Sequence, residues 1–255
     1  MLPTTPSFRL DGKRALVTGA SRGIGLAMAA ALAQASATVT LVARNAAQLE
    51  AAAAAIRAHG AGCDCAVLNV TDTAAVVAYI AQAPVFDILV NNAGMAKNAL
   101  LSDMTDADYD AVMDLNVRAT FMLTREVVRC MQAAADGKHR SIINISSQMG
   151  QVGGPKRTLY CASKHALEGF TKALAWELAK DHIRVNTLCP TFIETELTRT
   201  ALADPAFKEF VTSRIARGSL GQLQEVMGPV VFLASDAASL ITGSALMLDG
   251  GWTAV

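Results

Sequence analysis

Short hydrophobic segments alternate with longer amphipathic or alanine-rich segments along nearly the whole chain. The short segments are rich in β-branched residues and have the length of buried strands. Seven of them are predicted to be strands, at residues 14–18, 38–43, 65–70, 88–91, 141–145, 184–188 and 245–248. The segments between them predict helices, for example at residues 46–59 and 109–134, and Thr105 with Asp108 predicts a capping box before the second of these.

Strands that alternate with helices predict a parallel β-sheet with helices packed on both faces. Right-handed crossover connections make a doubly wound sheet the expected topology, so the fold class is α/β. Residues 191–222 interrupt the alternation, since this segment is polar and contains no predicted strand. Ligands of such sheets bind outside the carboxyl ends of the strands. We therefore expect residues 1–255 to form one domain, in which residues 191–222 are a lid over the substrate.

The composition narrows the class of protein. Apolar residues make up 52% of the 255 residues and charged residues 17%, which excludes a disordered chain and suits one large domain. The 22 basic residues balance the 22 acidic ones, and aromatic residues are only 5%, which argues against a nucleic-acid partner. Apolar runs of about ten residues are too short to span a membrane, and the first residues lack the core of a signal peptide. Five cysteines without metal-ligand spacing predict no metal site and reduced thiols in the cytoplasm.

A glycine-rich sequence follows the first predicted strand and precedes an apolar helix. We call residues 18–25, Thr-Gly-Ala-Ser-Arg-Gly-Ile-Gly, the glycine turn. Glycines permit a tight turn and let the backbone approach a pyrophosphate, which the positive end of the following helix attracts. The strand before the turn and the helix after it predict a dinucleotide-binding domain. The residues expected to contact the dinucleotide here are Gly19, Ser21, Arg22, Gly23, Ile24 and Gly25.

The residues after the second predicted strand indicate which dinucleotide binds. NAD-binding proteins usually carry an acidic residue about 20 residues beyond the turn, where it accepts hydrogen bonds from the ribose. Here Ala43 and Arg44 end the strand, and the first acidic residue after it is Glu50. Arg22 and Arg44 would both face the 2′-phosphate of NADP(H), which a guanidinium fork can bind. The sequence therefore favours NADP(H) over NAD(H).

Four polar residues are candidates for catalysis. Tyr160 and Lys164 lie four residues apart in a predicted helix, so their side chains share one face. The lysine ammonium is expected to lower the pKa of the tyrosine, which could then exchange a proton with an alcohol or a ketone. Ser147 follows the fifth predicted strand and would lie at the same sheet edge, within reach of a substrate oxygen. Asn116 falls in an apolar helical stretch, where a buried amide is either a structural anchor or a holder of ordered water.

These motifs, in this order and at these separations, resemble the classical short-chain dehydrogenases/reductases over residues 10–251. The resemblance implies a three-layer Rossmann-type α/β sandwich with a seven-stranded parallel sheet, and hydride transfer to or from a nicotinamide. By the family pattern, Tyr160 is the acid/base and Ser147 positions and polarises the carbonyl. Lys164 both tunes Tyr160 and holds the nicotinamide ribose, while Asn116 holds a water of the proton relay.

The resemblance extends to further cofactor contacts and to assembly. Asn69 and Val70 would meet the adenine, and the sequence around them is similar to 3-oxoacyl-(acyl carrier protein) reductases. The family usually has a glycine where this chain has Thr191, whose side chain would shift the nicotinamide contact or narrow the pocket. Family members commonly form homotetramers, so a homotetramer is the expected assembly. The other residues implied to hold the cofactor are Asn92, Ala93, Gly94, Tyr160, Lys164, Pro190, Ile193 and Thr195.

Apolar residues follow the predicted strand ends and occupy the predicted lid. A pocket of this character favours an apolar or aryl ketone, or a 3-oxo ester, over a sugar. The favoured function is thus an NADP(H)-dependent reductase that interconverts a small-molecule ketone and a secondary alcohol. The residues expected to line the substrate site are Met95, Met149, Val152, Leu159, Phe192 and Leu197.

Two other functions stay open at this point. An NAD-linked polyol or steroid dehydrogenase would use the same catalytic residues with another cofactor and substrate. A non-catalytic NADP(H)-sensing regulatory protein would keep the nucleotide site alone. The sensor would not need the residues of the proton relay, so their presence argues for catalysis; they are Asn116, Ser147, Tyr160 and Lys164.

Overall fold

Seven parallel strands form the sheet of the computed structural model, which describes residues 2–254 except for the side chains of residues 197 and 201. They are β1 (Arg14–Thr18), β2 (Thr38–Ala43), β3 (Cys63–Val67), β4 (Ile88–Asn91), β5 (Arg140–Ile145), β6 (Ile183–Pro190) and β7 (Ala245–Leu248). Their order across the sheet is β3-β2-β1-β4-β5-β6-β7, and all neighbours pair in parallel. The order reverses between β1 and β4, as in a doubly wound Rossmann-type sheet, so the predicted fold class is confirmed.

Helices cover both faces of the sheet and complete three layers. Leu32 and Val230 belong to the core on one face, and Leu123 belongs to the core on the other. Successive strand residues serve opposite faces, so Val17 packs in the first core and Leu16 in the second. The helices are α1 (Gly23–Gln34), α2 (Ala46–Arg57), α3 (Thr73–Gln82), α4 (Asp106–Met113), α5 (Ala119–Ala133), α6 (Thr158–Leu178), α7 (Glu196–Ala201), α8 (Pro205–Arg214) and α9 (Met227–Ala234).

The described residues contain no membrane-spanning helix, no cluster of metal ligands and no disulfide bond. Between residues 2 and 254, no helix combines the length and the apolar character that crossing a bilayer requires. Within the same range, no three side chains of His, Cys, Asp or Glu come together as possible metal ligands. All five cysteines are free thiols.

The third strand lies earlier in the sequence than predicted. β3 ends at Val67, so Asn69 and Val70 lie beyond the strand rather than at its end. Pairing with β2 stops at Ala43, because Asn45 then begins the next helix and its side chain caps α2. With its partner strand gone, β3 cannot continue the ladder of hydrogen bonds.

The helix predicted at residues 109–134 is divided into three parts. The capping box is confirmed, since the Thr105 and Asp108 side chains each accept a hydrogen bond from the other residue's backbone N–H at the start of α4. A π-helical turn over Asp114–Arg118 then separates α4 from α5. This turn contains the buried Asn116, and single π turns within helices occur frequently at functional sites.

A chain of buried hydrogen bonds ties the centre of the sheet to the helices on one face. The Asn91 amide donates to Thr124 of α5 and to Asn144 of β5, both at 2.8 Å. The Asn144 amide donates in turn to Thr171 of α6 at 2.8 Å. Leaving one of these buried groups unmatched would cost about 1–3 kcal/mol, so the network favours a single packing arrangement. It holds the carboxyl ends of β4 and β5 against the helix that carries the predicted catalytic pair.

Candidate active site

The glycine turn connects β1 to α1 at the carboxyl edge of the sheet. Gly19 and Gly23 have φ angles of +63° and +57°, which glycine adopts without strain. A Cβ atom on Gly25 would lie 2.3 Å from the Gly19 carbonyl oxygen, so only glycine fits where α1 meets the turn. The Arg22 side chain precedes α1 without capping it. A tight turn with an uncapped helix start is what a pyrophosphate needs, and these residues therefore fit a dinucleotide.

Asn92 and Thr18 hold the glycine turn in place. The Asn92 amide donates to the carbonyl oxygens of Thr18 and Gly19, at 2.9 and 3.2 Å. The Thr18 hydroxyl accepts from the backbone N–H groups of Asn92 and Ala93, at 2.9 and 3.0 Å. Asn92, which the sequence predicts to hold the cofactor, thus directs its side chain into the support of the turn. Ala93 and Gly94 continue from this point toward the catalytic residues.

Arg22 and Arg44 both lie near the glycine turn, and both are exposed. Arg44 follows β2 directly, and the backbone N–H of Ala20 donates to the carbonyl of Val42 at 3.2 Å, so the turn adjoins the end of β2. Arg22 lies 3.9 Å from the Glu196 carboxylate at the start of α7, an exposed pair that contributes little stability. Within residues 2–254, Arg44 has no carboxylate partner, so its guanidinium is available to an anion.

Four further predicted cofactor residues lie in the glycine turn, in the first turn of α1 and in the loop after β3. Ser21 is partly exposed within the glycine turn, and Ile24 lies in the first turn of α1. Asn69 is exposed after β3, and its side-chain oxygen accepts from the backbone N–H and the hydroxyl of Thr71 at 3.3 and 3.0 Å. The adjoining Val70 is buried in the core. The Asn69 side chain is therefore engaged in its own local turn.

The segment that follows β6, residues 191–195, lies next to the glycine turn. Pro190 is the last residue of β6, and the Thr191 hydroxyl is buried with no hydrogen-bond partner among the described residues. Ile193 is buried and pairs with Gly221 through an isolated parallel β-bridge. Thr195 caps α7, and its methyl group lies 3.9 Å from the position of a Cβ on Gly23. This segment therefore faces the turn across the predicted nucleotide site.

Tyr160, Lys164 and Ser147 converge at the carboxyl edge of β5. Lys164 lies one turn after Tyr160 in α6, and its Nζ atom is 5.6 Å from the centre of the Tyr160 ring. The buried Lys164 ammonium donates to the carbonyl oxygen of Ile145, the last residue of β5, at 2.8 Å. A Cβ on Gly94 would lie 3.7 Å from the same Nζ atom. The candidate catalytic pair thus adjoins the segment that supports the glycine turn.

Burial dominates the charge state of both groups. It raises the pKa of Tyr160 above its ordinary value, and the Ser147 hydroxyl and the Arg157 guanidinium act in the opposite direction. Burial also lowers the pKa of Lys164 to about 8. The pKa of Tyr160 therefore lies above its ordinary value, because removing a phenolate from water outweighs the opposing effects of Ser147 and Arg157. The lowering by Lys164 stays a prediction.

The Ser147 hydroxyl is already engaged in hydrogen bonds. It donates to Oε1 of Gln148 at 2.7 Å and accepts from the backbone N–H of Met149 at 3.1 Å. Gln148 is buried, and sequence reasoning missed it because no motif marks this position. A substrate oxygen that accepts the Ser147 proton would have to displace Gln148 from it.

Asn116 acts as an anchor. Its Oδ1 accepts from the Met95 backbone N–H at 2.8 Å, and its Nδ2 donates to the Met95 carbonyl at 2.9 Å and to the Ser163 hydroxyl at 3.0 Å. Its own carbonyl accepts from the Thr120 hydroxyl at 3.0 Å. Of the two roles that the sequence left open for this amide, the side chain performs the first, since it clamps the Met95 segment to α6. The water relay stays a prediction.

An apolar cluster lies beside Tyr160. Its buried members are Met149, Leu202, Val211, Ile215 and Trp252, and the residues packed against it are Val152, Tyr160, Cys161, Phe192, Phe207 and Leu220. Three predicted substrate residues, Met149, Val152 and Phe192, are thus brought together with Tyr160. Leu159 is buried at the start of α6 but is not part of this cluster, and neither is Met95. The side chain of Leu197 lies outside the described residues.

The predicted lid contributes most of this cluster. Residues 191–222 contain α7 and α8, and α8 supplies Phe207, whose ring meets the Phe192 ring edge-on at 5.9 Å. Phe192 also stacks on Trp252 with ring centres 6.0 Å apart. Sequence reasoning missed Phe207, Trp252 and Arg157. The apolar positions of α8 were a signal for Phe207, whereas nothing local marks Trp252 or Arg157.

Comparisons with known proteins agree with this geometry. A family model described as enoyl-(acyl carrier protein) reductase matches residues 19–253. The chain is 39% identical over 251 residues to gluconate 5-dehydrogenase of Gluconobacter oxydans (strain 621H), covering 96% of each chain. It is 40% identical over 248 residues to 3-oxoacyl-(acyl-carrier-protein) reductase FabG of Escherichia coli (strain K12), covering 96% of this chain and 98% of the relative. The crystal structure of gluconate 5-dehydrogenase from Burkholderia cenocepacia J2315 with NADP and tartrate has a TM-score of 0.92 and 38% identity, covering 97% of this chain and 98% of that one.

Proposed function

Because the chain belongs to the short-chain dehydrogenase/reductase family, an oxidoreductase family that acts on CH–OH and C=O groups, we propose that it is an NADP(H)-dependent reductase that interconverts a ketone and a secondary alcohol. The observation that carries the proposal is the position of Tyr160 and Lys164, one turn apart on α6, beside the segment that supports the glycine turn. A proton donor and a dinucleotide turn at one sheet edge are what carbonyl reduction requires.

The cofactor contacts are proposed from the residues around the glycine turn. NADPH supplies the hydride when it is bound. The start of α1 would bind the pyrophosphate, and Lys164 would bind the nicotinamide ribose. Arg44, with Arg22 as a second cation, would bind the 2′-phosphate, because Arg44 has no carboxylate partner among the described residues. The relative from Burkholderia cenocepacia, whose crystal structure contains NADP, supports the same choice.

Tyr160 would give its proton to the substrate oxygen during reduction. Its raised pKa keeps it protonated at neutral pH, which is the form that an acid needs. Ser147 would donate a hydrogen bond to the same oxygen after leaving Gln148. Lys164, with its pKa lowered to about 8, stays mostly charged at neutral pH and would stabilise the phenolate that remains on Tyr160.

The apolar cluster supports an apolar or aryl ketone, or a 3-oxo ester, as substrate. Met149, Val152 and Phe192 pack in one cluster with Tyr160, and the aromatic rings of Phe207 and Trp252 flank Phe192. Such walls bind the apolar body of a substrate and leave its carbonyl beside the polar groups. The lid role of residues 191–222 is proposed on the same contacts.

A second candidate is the oxidation of a polyol or a sugar acid, which the gluconate 5-dehydrogenase relatives favour. The two candidates share the catalytic residues and differ in the polarity of the substrate. The apolar character of the cluster beside Tyr160 favours the first.

Initial rates of NADPH and NADH oxidation, measured side by side with aryl ketones, 3-oxo esters and ketosugars, test the proposal. We expect NADPH to be consumed with the apolar ketones. Preference for NADH with ketosugars would favour the polyol dehydrogenase, and NADPH binding without turnover of any substrate would favour a sensor. The cytoplasmic location and the homotetramer stay predictions.

A further inference from the structure

Arg157 occupies a fixed position at the amino end of α6, three residues before Tyr160. Its backbone N–H donates to the carbonyl of Gly154 at 3.2 Å, and its carbonyl accepts from Cys161 at 2.7 Å. A Cβ on Gly154 would lie 3.5 Å from Arg157 Cγ and 2.9 Å from the end of the Met149 side chain. The arginine stem is therefore packed beside a residue of the apolar cluster.

The Arg157 guanidinium lies beside the Phe192 ring. Its Cζ atom is 5.8 Å from the centre of the Phe192 ring, within the range of a cation–π contact. Phe192 belongs to the predicted lid and packs against the same cluster as Tyr160. The guanidinium also acts on the Tyr160 hydroxyl, whose pKa it lowers against the larger effect of burial. The cation therefore lies beside the apolar cluster that also contains Tyr160.

The Arg157 guanidinium has no hydrogen-bond acceptor among the described residues, whereas the two other arginines that are largely withdrawn from water each have one. Arg140 lies 2.7 Å from the Asp136 carboxylate, and Arg184 donates to the Ser235 carbonyl at 3.0 Å. Within residues 2–254, the Arg157 side chain takes part in no ion pair and no hydrogen bond. Half-burying a cation without a partner is unfavourable for folding alone. A single unpaired cation in an apolar pocket is instead typical of ligand recognition.

We propose that Arg157 binds a carboxylate carried by the substrate, so that the preferred substrate is a keto acid with an apolar body. The proposal rests on the proposed function and narrows its substrate class. The planar guanidinium fork matches the two oxygens of a carboxylate, and the Phe192 ring lies beside it. The apolar cluster would hold the body of the substrate, with the carbonyl at Tyr160.

Matched pairs of acid and ester substrates test this specificity role. The probes are 4-oxo-4-phenylbutanoate and 5-oxo-5-phenylpentanoate, each compared with its methyl ester, with NADPH as reductant. The variants are Arg157→Met, Arg157→Lys and, as a matched control, Lys156→Met, which removes an exposed charge one residue away. We expect the wild-type protein to prefer one of the acids over its ester by roughly 10- to 100-fold in kcat/KM.

Arg157→Met should abolish this preference by lowering kcat/KM for the acid at least tenfold more than for the ester. Arg157→Lys should keep part of the preference, and Lys156→Met all of it. An equal acid-to-ester ratio in wild type and Arg157→Met, or an equal loss for acid and ester, would overturn the proposal. Good turnover of both acids and esters, with an acid-to-ester ratio that does not depend on Arg157, would leave the reductase intact and remove only this inference.

A binding measurement covers the case in which no probe is reduced, which would count against the proposed function. The thermal shift given by 4-phenylbutanoate, compared with 4-phenylbutanamide, is measured in the presence of NADP⁺. A larger shift for the carboxylate in wild type, lost in Arg157→Met, supports carboxylate binding without any turnover. Equal shifts for both ligands in both proteins would contradict it.

Discussion

Replacing Lys164 by Met should change how the stability of the protein depends on pH. Burial lowers the pKa of Lys164 to about 8 from an ordinary value of 10.5. Because the unfolded chain holds this proton more tightly than the folded chain, the charged lysine opposes folding, and the full cost applies below pH 8. The gap between the two values corresponds to about 3 kcal/mol, which is relieved as the pH rises from 8 toward 10.5.

The change in unfolding free energy that Lys164→Met causes at pH 7 is expected to be small, whereas its change with pH is expected to be large. The substitution also removes the 2.8 Å hydrogen bond to the Ile145 carbonyl, a loss of about 1–3 kcal/mol that offsets much of the gain at pH 7. Between pH 7 and pH 10, however, wild type should gain about 2–3 kcal/mol of unfolding free energy relative to the variant. Other titrating groups are common to both proteins and cancel in the difference.

Guanidinium chloride unfolding at several pH values between 7 and 10, with a reductant present, measures this difference. Lys172→Met is the matched control, since Lys172 is an exposed lysine of the same helix. Its curve should run parallel to that of wild type. If the Lys164→Met curve also ran parallel to wild type, the lowered pKa of the buried Lys164 would be refuted.

Three further predictions concern the cofactor site and the surroundings of Lys164. Arg44→Ala should raise KM for NADPH by roughly tenfold or more in initial-rate assays, by loss of a charged hydrogen bond, and leave KM for NADH unchanged; equal effects on both would contradict the 2′-phosphate contact. Gly25→Ala should lower the melting temperature and abolish NADPH binding in a fluorescence titration, because its Cβ would lie 2.3 Å from the Gly19 carbonyl oxygen; a normal titration would argue against the compact turn. The buried Glu168 accepts from Thr187 at 3.0 Å and helps to keep Lys164 charged. Glu168→Gln should therefore move the alkaline limb of the kcat–pH profile to lower pH, and an unmoved limb would exclude this electrostatic role.

The parts of the fold and site that could be predicted depend on local sequence. The glycine turn could be predicted because closely spaced glycines lie between a strand and a helix. The Tyr160–Lys164 pair could be predicted because one helical turn separates the two residues. The alternation of strands and helices likewise fixes a parallel sheet, because it reflects which faces are buried. These features are all set within about 30 residues of chain.

Other features depend on contacts between segments that are distant in the chain, so they could not be predicted from the sequence. The end of β3 is set by its neighbour β2, whose pairing stops where Asn45 caps α2. The pKa of Tyr160 is raised because the tertiary structure buries it, which the spacing to Lys164 does not reveal. Trp252, which follows β7 and lies outside the predicted lid, packs against Phe192 of the lid. Arg157 differs from a surface arginine only through the residues that surround it.

The Tyr160→Phe variant is the sharpest test of the proposed role of Tyr160 as the proton donor in an NADPH-dependent carbonyl reduction. The variant keeps the ring and removes only the hydroxyl. Ketone-dependent NADPH oxidation should fall by at least about 100-fold, the usual contribution of a general acid, while NADPH binding in a fluorescence titration stays close to that of wild type. Turnover that survives in Tyr160→Phe at the wild-type rate would contradict this role.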